Sequence, residues 1–178
     1  MIKFIPVLAD KSTGRYKNNE YIPYVLKLFS EYKELLIDDY YPKDNLDLIL
    51  YLIDEINSLF PWFLVCLVDE NPIGVVWLSH WHGDNNKHHS CQLQAFVDKK
   101  YWGEVTKKAM NELIRILFQN IGLKRIQMEI PEYNRLARAF AERMGFSQEG
   151  VVRNATLKNG KPLNHYLYGL VAKAHSPA

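Results

Sequence analysis

The feature that most constrains the fold is a short segment bounded by Asn134 and Gly145. Asparagine favours the N-cap of a helix because its side-chain oxygen accepts from free amides of the first turn. Glycine favours the position just after a helix ends. Three apolar residues recur at every fourth position between them: Leu136, Phe140 and Met144. This stripe predicts a helix over Arg135–Met144, followed at once by a strand from Ser147.

The remaining hydrophobic pattern predicts further strands and helices. Strands are expected at 2–7, 62–69, 73–82, 90–98, 123–130, 147–157 and 163–172, and loops at 9–20 and 83–89. Further helices are expected at 21–36, from a cap at Asn45 to just before Pro61, and at 103–120. Glu-Asn-Pro at 70–72 and Asn159-Gly160 are expected to be hairpin turns. The predicted order is β-α-α-β-β-β-α-β-α-β-β.

Residues 134–153 follow the pattern Asn-x-x-Ala-x-x-Phe-Ala-Glu-Arg-Met-Gly-Phe-x-x-Glu-Gly-x-x-Arg. This pattern resembles the closing segment of GNAT-superfamily acetyltransferases, most of all the branch of the ribosomal-protein N-terminal acetyltransferases. Residues 159–168 resemble the Gly-x-x-x-Asp-His-x-x-Tyr ending of that branch, with Asn164 in place of Asp. The resemblance implies one α/β (α+β) domain over residues 1–178. Its sheet would be mixed and mostly antiparallel, with helices on both faces.

Proteins of this superfamily hold acetyl-coenzyme A between two splayed strands, with its diphosphate at the start of the following helix. Free amides and the helix dipole favour an anion at such a position. The resemblance places the strand end at Ala95, Phe96 and Val97, and the helix start near Gly103. The cofactor-binding residues that it implies are Ala95, Phe96, Val97, Trp102, Gly103, Glu104, Val105, Thr106, Lys107, Asn134 and Arg138.

The phosphate-binding loop departs from the family pattern Gln/Arg-x-x-Gly-x-Gly/Ala. Trp102 stands where Gln or Arg is usual, Val105 replaces the first glycine and Lys107 the second, while Gly103 is kept. Glycine lets the backbone approach a phosphate, whereas valine is β-branched. The nearby lysines either supply positive charge or form a solvated face: Lys99, Lys100, Lys107 and Lys108.

Polar residues alternate along two neighbouring predicted strands. One strand places Arg125, Gln127 and Glu129 on one face, and the other does so with Gln92, Gln94 and Phe96. This pattern favours a cavity over a packed core. Glu129 is the carboxylate of the set and is predicted to be the general base, directly or through water. The alternative is a structural ion pair of Glu129 with Arg125 or Lys124.

Other residues provide candidates for proton transfer. Many relatives protonate the leaving thiolate with a tyrosine at the position that Ala141 occupies here, so Tyr168 and Tyr133 are the fallback donors. Asn134 is either a helix cap or a contact of the cofactor arm. His80 is a second candidate base, because its strand neighbours the cleft.

A metal site is the alternative interpretation of the histidines. His80 and His82 are two residues apart on a predicted strand, and His88, His89 and Asp84 lie nearby. A surface hairpin is the simpler explanation, and the sequence predicts no metal.

Composition limits the remaining classes of function. A net charge of +2 gives no support for a nucleic-acid partner, and no apolar run approaches the roughly 20 residues of a membrane span. Cys66 and Cys91 lie in apolar runs, and no signal peptide precedes them, which together favour the cytoplasm. The region between the first two helices also carries Tyr40 and Tyr41 and is acidic, with eight carboxylates against Lys33 and Lys43: Glu31, Glu34, Asp38, Asp39, Asp44, Asp47, Asp54 and Glu55. It would either attract a cationic amine or consist of ordinary solvated helix faces.

The leading hypothesis is an acetyl-coenzyme A-dependent N-acetyltransferase that transfers the acetyl group directly to a primary amine. The acceptor would be a protein N-terminus, a polyamine-like molecule or an aminoglycoside-like molecule. The alternative is a non-catalytic GNAT-fold module that has lost coenzyme A and serves in protein association. Val105, Lys107 and Ala141 favour that alternative.

Overall fold

A mixed sheet of seven strands forms the centre of the protein. The computed structural model describes residues 1–10, 15–36, 38–42, 44–84 and 87–172. The strands are β1 (Ile2–Pro6), β2 (Leu8–Asp10), β3 (Arg15–Lys17), β4 (Phe63–Val68), β5 (Asn71–Asp84), β6 (Lys87–Val97), β7 (Arg125–Pro131), β8 (Ser147–Lys158) and β9 (Lys161–Val171). The helices are α1 (Ile22–Glu31), α2 (Lys33–Leu36), α3 (Asn45–Ser58), α4 (Glu104–Arg115) and α5 (Arg135–Arg143).

The strands of the large sheet lie in the order β1-β4-β5-β6-β7-β9-β8. Every neighbouring pair is antiparallel except β6 and β7, which run parallel. The remaining two strands, β2 and β3, form a separate small hairpin. The predicted fold class, a mixed and mostly antiparallel sheet, is therefore confirmed.

Helices cover both faces of the sheet and define two apolar cores. On one face α4 and α5 pack on the middle of the sheet, with Leu113 and Ala141 among the buried contacts. On the other face α1 and α3 pack on β4 and β5, with Leu28 and Ile56 fully buried. Each large aliphatic side chain that is removed from water in this way stabilises the fold by about 1.5–3 kcal/mol. The two thiols, Cys66 and Cys91, are buried and unpaired, as predicted.

The two predictions whose limits are marked by specific residues, the helix α5 and the Asn159-Gly160 turn, are confirmed. The Asn134 side chain accepts from the Ala137 amide at 3.1 Å at the start of α5, and Gly145 follows the helix with φ +89°. Asn159 and Gly160 form the turn between β8 and β9, with φ of 52° and 71°. Left-handed backbone at both central residues matches the twist of a two-residue hairpin.

Predictions at polar segments are wrong in several places. The loop expected at 9–20 contains the β2–β3 hairpin and a 3-10 turn at Asn19–Tyr21, although residues 11–14 lie outside the described chain. The first helix breaks at Tyr32 (φ −118°, ψ 18°) instead of continuing to residue 36. The cap of α3 is Asp44, whose carboxylate accepts from the amides of Leu46 and Asp47, not Asn45. These segments lack a regular spacing of apolar residues from which the ends of a helix or strand could be predicted.

Three boundaries shift for the same reason. The β4–β5 turn lies at Asp69 and Glu70, both with positive φ, and not at 70–72. β5 continues to Asp84 and β6 begins at Lys87, within the loop predicted at 83–89, whose residues 85–86 lie outside the described chain. The predicted helix 103–120 is α4 followed by a π-helical turn at Ile116–Asn120. Residues 173–178 of the predicted domain lie outside the described chain as well.

Gly74 lies where β5 crosses close to the end of β6. A Cβ at Gly74 would lie 2.4 Å from the Phe96 carbonyl oxygen and 2.7 Å from the Val97 Cα. Because these are backbone atoms, Gly74→Ala is expected to lower the free energy of unfolding by about 1–3 kcal/mol. Gly150→Ala is the matched control, since its Cβ would meet only Leu167 Cδ1 at 3.9 Å. Denaturant unfolding measures both, and equal midpoints would contradict the close approach.

Candidate active site

The sheet opens between β6 and β7. The two strands pair only from Ser90 to Gln92 on β6 and from Arg125 to Gln127 on β7. Beyond these residues β6 stays paired with β5, and β7 stays paired with β9. The two strands therefore diverge and leave a cleft with a free strand edge on each side. Ala95, Phe96 and Val97, the predicted strand end, lie along the β6 side of this cleft.

The far end of the β6 edge is already engaged by a side chain. The indole N–H of Trp102 donates to the Val97 carbonyl oxygen at 2.8 Å. The indole is 42 % exposed, so it lies over the end of the cleft at the protein surface. A ligand that pairs with the Val97 carbonyl must displace this bond. The substitution of Trp for Gln or Arg thus changes the cleft itself, and not only its charge.

The start of α4 presents free backbone amides beside that strand end. Gly103 is the N-cap, with φ 104°, and it has no side chain to satisfy the first turn. Within the described chain, the amides of Glu104, Val105 and Thr106 have no acceptor; the first bond of the helix runs from Lys107 to the Gly103 carbonyl. The Thr106 hydroxyl instead donates to the Tyr101 carbonyl at 2.7 Å. Three unsatisfied donors at a helix start suit an anion.

The lysines near this helix are partly engaged. Lys107 lies 3.9 Å from Glu104, and Lys100 lies 3.4 Å from Asp98. Both ammonium groups remain largely solvated, and exposed pairs of this kind hold a side chain only weakly. Their positive charge therefore stays available to a ligand at the helix start.

α5 contributes a cap and a cation at the other side of the cleft. The side-chain oxygen of Asn134 is used in the helix cap, which leaves its amide nitrogen to donate elsewhere. The Arg138 guanidinium lies 4.3 Å above the Tyr166 ring, and its buried Nε has no partner among the described residues. A stacked cation with an unused donor is suited to a polar or anionic ligand.

Tyr168 lies in the core beneath α5. It is fully buried, and its hydroxyl donates to a Glu142 carboxylate oxygen at 3.1 Å. Burial, followed by the neighbouring Glu142, raises the pKa of this phenol above its usual value. The hydroxyl is therefore protonated near neutral pH. Its partner Glu142 directly follows Ala141, the position at which the resembling proteins carry a tyrosine.

The opposite face of the sheet carries the predicted polar cluster. Ile126 and Ile130 pack in the core under α4 and α5, so Gln127 and Glu129 point to the other face. Gln92 pairs with Gln127 across the parallel strands and points the same way. The cluster lies beyond the part of this face that the buried residues of α1 and α3 cover. It forms a polar surface on the side of the sheet opposite to α4 and α5.

Glu129 is hydrogen-bonded to an imidazole. Its Oε1 lies 2.7 Å from Nδ1 of His165 on β9. This hydrogen bond is the largest cause that lowers the pKa of the Glu129 carboxyl below 4.5, and the charge of His80 nearby lowers it further. Glu129 is thus ionised at neutral pH. The pKa of Glu129 is lower in the folded state than in the unfolded state. Its contribution to the free energy of unfolding is therefore fully present above the unfolded-state pKa, and it is lost as the pH falls through the folded-state pKa.

The alternative pairing of Glu129 with Arg125 is wrong. Arg125 binds Glu149 on β8, with Nη1 2.7 Å from Oε1, over the bare backbone of Gly169. The two carboxylates of this face are therefore assigned to different partners. Glu149 is held by a cation, while Glu129 is held by His165.

His165 is the residue that sequence analysis left without a role. Its second nitrogen, Nε2, is buried and has no hydrogen-bond partner among the described residues. Leaving a buried polar atom unpaired costs about 1–3 kcal/mol. The signal in the sequence was the Asn164-His165 pair within the family-like ending. Its contact with Glu129 depends on the β7–β9 register, in which Pro131 faces His165.

His80 lies at a β-bulge of β5. The pairing with β6 shifts between Ser79 and His82, and His80 itself has φ 48°. Bulges with left-handed backbone often redirect a side chain beside a site. The Ser79 hydroxyl lies 3.0 Å from His80 Nδ1 and donates to Gln94 at 3.2 Å. His80 is therefore exposed at the edge of the polar cluster, on the same side as Glu129.

The bulge also interrupts the alternation on which the metal hypothesis depended. Trp81 lies between Trp62 and His88, with both ring centroids 4.6 Å away and the rings tilted, and it packs against the apolar core. His88, His89 and Asp84 line a surface cleft together with Lys87 and Lys124, whose charges oppose a bound cation. Across the described ranges, no group of three or more His, Cys, Asp or Glu residues is placed to hold a metal ion.

The acidic connection between α1 and α3 forms a wall over the β8–β9 hairpin. The Asp39 carboxylate accepts from the turn amides of Asn159 and Gly160 at 2.9 and 2.7 Å, and Asp38 accepts from Thr156. These carboxylates therefore hold the wall in place. Lys43, which belongs to the predicted acidic region, lies outside the described chain.

Three tyrosines pack on one another in this wall, at ring-centroid distances of 5.3–6.4 Å and with nearly perpendicular planes: Tyr40, Tyr41 and Tyr51. The Tyr51 hydroxyl donates to Glu55 at 3.3 Å. Burial, followed by Glu55, raises the pKa of Tyr41 to about 12. The wall is thus aromatic and acidic, as a surface for an organic cation would be.

The family comparison decides what this architecture is. The acetyltransferase (GNAT) family model matches residues 24–146, more than half of the chain. The chain belongs to the GNAT acetyltransferase family. It is thus an acetyltransferase enzyme by family, and the prediction made from residues 134–153 is confirmed. No match was found among the curated protein sequences.

Solved structures of GNAT enzymes share the fold. The ribosomal-protein-alanine N-acetyltransferase from Brucella melitensis is 19% identical over 89% of this chain and 98% of its own, with a TM-score of 0.66. RimL, a ribosomal L7/L12 α-N-protein acetyltransferase in complex with coenzyme A, is 16% identical over 97% and 99%, with a TM-score of 0.71. A spermidine N-acetyltransferase SpeG chimera from Vibrio cholerae and hSSAT is 17% identical over 96% of this chain and 94% of its own, with a TM-score of 0.69.

The neighbours therefore include the ribosomal-protein branch together with another class of GNAT enzyme.

No helix in the described part of the chain is long and apolar enough to cross a membrane.

Proposed function

We propose that residues 1–178 form a single-domain, acetyl-coenzyme A-dependent N-acetyltransferase that acts on a primary amine. One observation carries the proposal: the cleft between β6 and β7 ends beside the open amides of α4. An elongated ligand with a diphosphate at its middle fits such a combination. Its amide-bearing arm would follow the β6 edge, and its diphosphate would meet the helix start.

The residues present fit coenzyme A although two glycines are missing. The diphosphate needs backbone donors, and the amides of Glu104, Val105 and Thr106 are directed away from the helix without an acceptor in the described chain. A Cβ at Gly103 would meet nothing within 4 Å, so the space beside the N-cap is open. The Val105 side chain is 36 % exposed and does not fill the core beneath the helix start.

The second half of the site would handle the acceptor. Direct transfer requires an amine that loses a proton, a polarised thioester carbonyl and a proton for the leaving thiolate. Glu129 supplies an ionised carboxylate on the side where the amine would bind, and its Oε1 lies 2.7 Å from Nδ1 of His165. His80 remains a second candidate base at the edge of the cluster. Tyr168 is the proposed proton donor to sulfur; its phenol keeps its proton near neutral pH, because burial and Glu142 raise its pKa, and its hydroxyl would have to leave Glu142 to reach the sulfur.

Asn134 and Arg138 would hold the cofactor arm from α5. The Asn134 amide nitrogen is free of the cap bond, and the Arg138 Nε is an unused buried donor. Both lie on the helix that follows β7. Acetyl-coenzyme A supplies the activated thioester when it is bound, and these residues position its carbonyl.

The acceptor class proposed is a cationic primary amine, either a protein N-terminus or a small molecule. The acceptors named for the structural neighbours include ribosomal proteins and spermidine. The tyrosines and Glu55 of the acidic wall support a positively charged acceptor here. Two buried free thiols suit the reducing cytoplasm, where we place the reaction.

Titration with acetyl-coenzyme A tests the function. Thermal unfolding is expected to shift upward, since a ligand at about 100 times its dissociation constant adds roughly 2.7 kcal/mol of stability. An acetylation screen across N-terminal peptides, polyamines and aminoglycosides would then identify the acceptor. Adenosine alone is the control for nonspecific binding of the nucleotide part.

The non-catalytic module remains the second candidate, on one specific observation. The Trp102 indole occupies the Val97 carbonyl that a cofactor arm would use. If this bond seals the cleft, millimolar acetyl-coenzyme A will leave the unfolding temperature unchanged. That result would favour the module and would reject acetyl-coenzyme A-dependent transfer at this cleft.

A further inference from the structure

His165 is held by one ring nitrogen and not by the other. Its Nδ1 lies 2.7 Å from Glu129 Oε1. Its Nε2 is buried and meets no partner among the described residues, although the side chain as a whole is 17 % exposed. The ring is therefore fixed in orientation, with one polar atom unused.

The hydrogen bond determines where the ring proton lies. Glu129 is ionised at neutral pH, so it can only accept. Nδ1 must then carry the proton and donate it. In the neutral ring this leaves a bare lone pair on Nε2, which is the atom that a general base uses.

A carboxylate behind an imidazole has a known physical effect. It fixes the tautomer and the ring orientation, and it stabilises the imidazolium that forms when the ring takes a proton. Glu129 and His165 lie on neighbouring strands of one rigid sheet, β7 and β9, which keeps their geometry constant. A ring that served only to hold Glu129 would use only its Nδ1–H donor, so the buried Nε2 is not explained by that role.

We propose that Nε2 of His165 accepts the proton of the incoming amine, and that Glu129 is the positioning residue behind it. This inference rests on the proposed function and reassigns the base within it. The reacting amine first loses its ammonium proton to solvent, and Nε2 then takes the further proton that the neutral nitrogen loses as it bonds to the acetyl carbon. The carbon–sulfur bond of the thioester breaks with its electrons on sulfur, and the thiolate takes a proton from Tyr168 or from water. The products are an acetamide and a free thiol.

Because Nε2 is buried, the proposal requires the side chains over it to move when the amine binds. The charged and titratable groups that the structure places near it are Glu129, at hydrogen-bond distance, and His80, within electrostatic range of Glu129. The amine therefore enters a site with one negative charge and two imidazoles.

Two isosteres of His165 test the assignment. His165→Asn keeps an amide nitrogen near the position of Nδ1 and removes Nε2, whereas His165→Gln places an amide near Nε2. We expect His165→Asn to lower kcat by at least about 100-fold, with unchanged affinity for acetyl-coenzyme A and unchanged thermal unfolding. Turnover equal to that of the wild type would overturn the proposal and leave Glu129 as the base. His165→Gln should be as inactive, because an amide is not a base.

Imidazole ¹⁵N spectra of the unliganded protein provide a readout that does not depend on activity. At mildly alkaline pH the wild type is expected to show the proton on Nδ1 and a bare Nε2. Glu129→Leu, which cannot accept, should remove this preference. A wild-type ring that carries its proton on Nε2 would overturn the proposal.

The two failures are distinguishable. If the wild type does not bind acetyl-coenzyme A, the proposed function fails, whatever the tautomer. If it binds and acetylates while His165→Asn remains fully active, only the assignment of the base fails.

Discussion

Replacing Glu129 by glutamine is expected to lower turnover by roughly 10²- to 10⁴-fold. The amide has the shape of the carboxylate but carries no charge, so it neither accepts a proton nor stabilises a protonated His165. The affinity for coenzyme A should stay unchanged, because Glu129 lies on the face of the sheet opposite to α4 and α5. Steady-state kinetics with a saturating amine, and calorimetry with coenzyme A, measure the two effects separately.

Glu149→Gln is the matched control for this experiment. Glu149 is a second carboxylate of the same face, but it binds Arg125 and not His165. Its loss should leave turnover close to that of the wild type. Equal turnover in Glu129→Gln and the wild type would contradict Glu129 both as the base and as the positioning residue behind His165, and would move the basic role to His80 or to water alone. A strong loss in both variants would instead indicate damage to β7.

Replacing Val105 by aspartate is expected to weaken coenzyme A binding by about 2–3 kcal/mol, or roughly 30- to 150-fold. The new charge would stand within the first turn of α4, where the diphosphate is proposed to lie. An acidic residue near a helix N-terminus also favours the helix itself. The fold should therefore be as stable as before while the ligand is repelled. Calorimetry at low salt and thermal unfolding of the free protein measure the two quantities.

Val105→Asn is the control, because asparagine has nearly the same size as aspartate but carries no charge. It should bind coenzyme A much as the wild type does, and added salt should narrow the difference between the two variants. If aspartate and asparagine weaken binding equally, the diphosphate does not lie at the start of α4. The same conclusion about the diphosphate would follow if neither variant changes the affinity for coenzyme A.

The sequence predicted those elements whose ends carry a specific backbone requirement. Asn134 and Gly145 bound α5, and Asn159-Gly160 forms a turn because both residues accept left-handed backbone. Polar segments were predicted less well. The β2–β3 hairpin has no apolar alternation to mark it, and the capping choice between Asp44 and Asn45 depends on backbone angles that neither residue dictates.

The site was predicted in part for a related reason. Alternation alone placed Gln127 and Glu129 on one face, and the structure has them there. The partner of Glu129 could not be predicted, because His165 is 36 residues away and the β7–β9 register determines the contact. The bulge at His80 and the indole bond of Trp102 were missed as well, since each depends on how two segments meet.

The most direct test of the account is an amide ¹⁵N titration of the protein with coenzyme A. If coenzyme A binds in the cleft, the largest shifts are expected at Glu104, Val105 and Thr106, along the β6 edge from Leu93 to Val97, and at the Trp102 indole N–H as its bond to Val97 is displaced. Saturation with these signals unmoved, or with the shifts confined to other surfaces, would contradict the account.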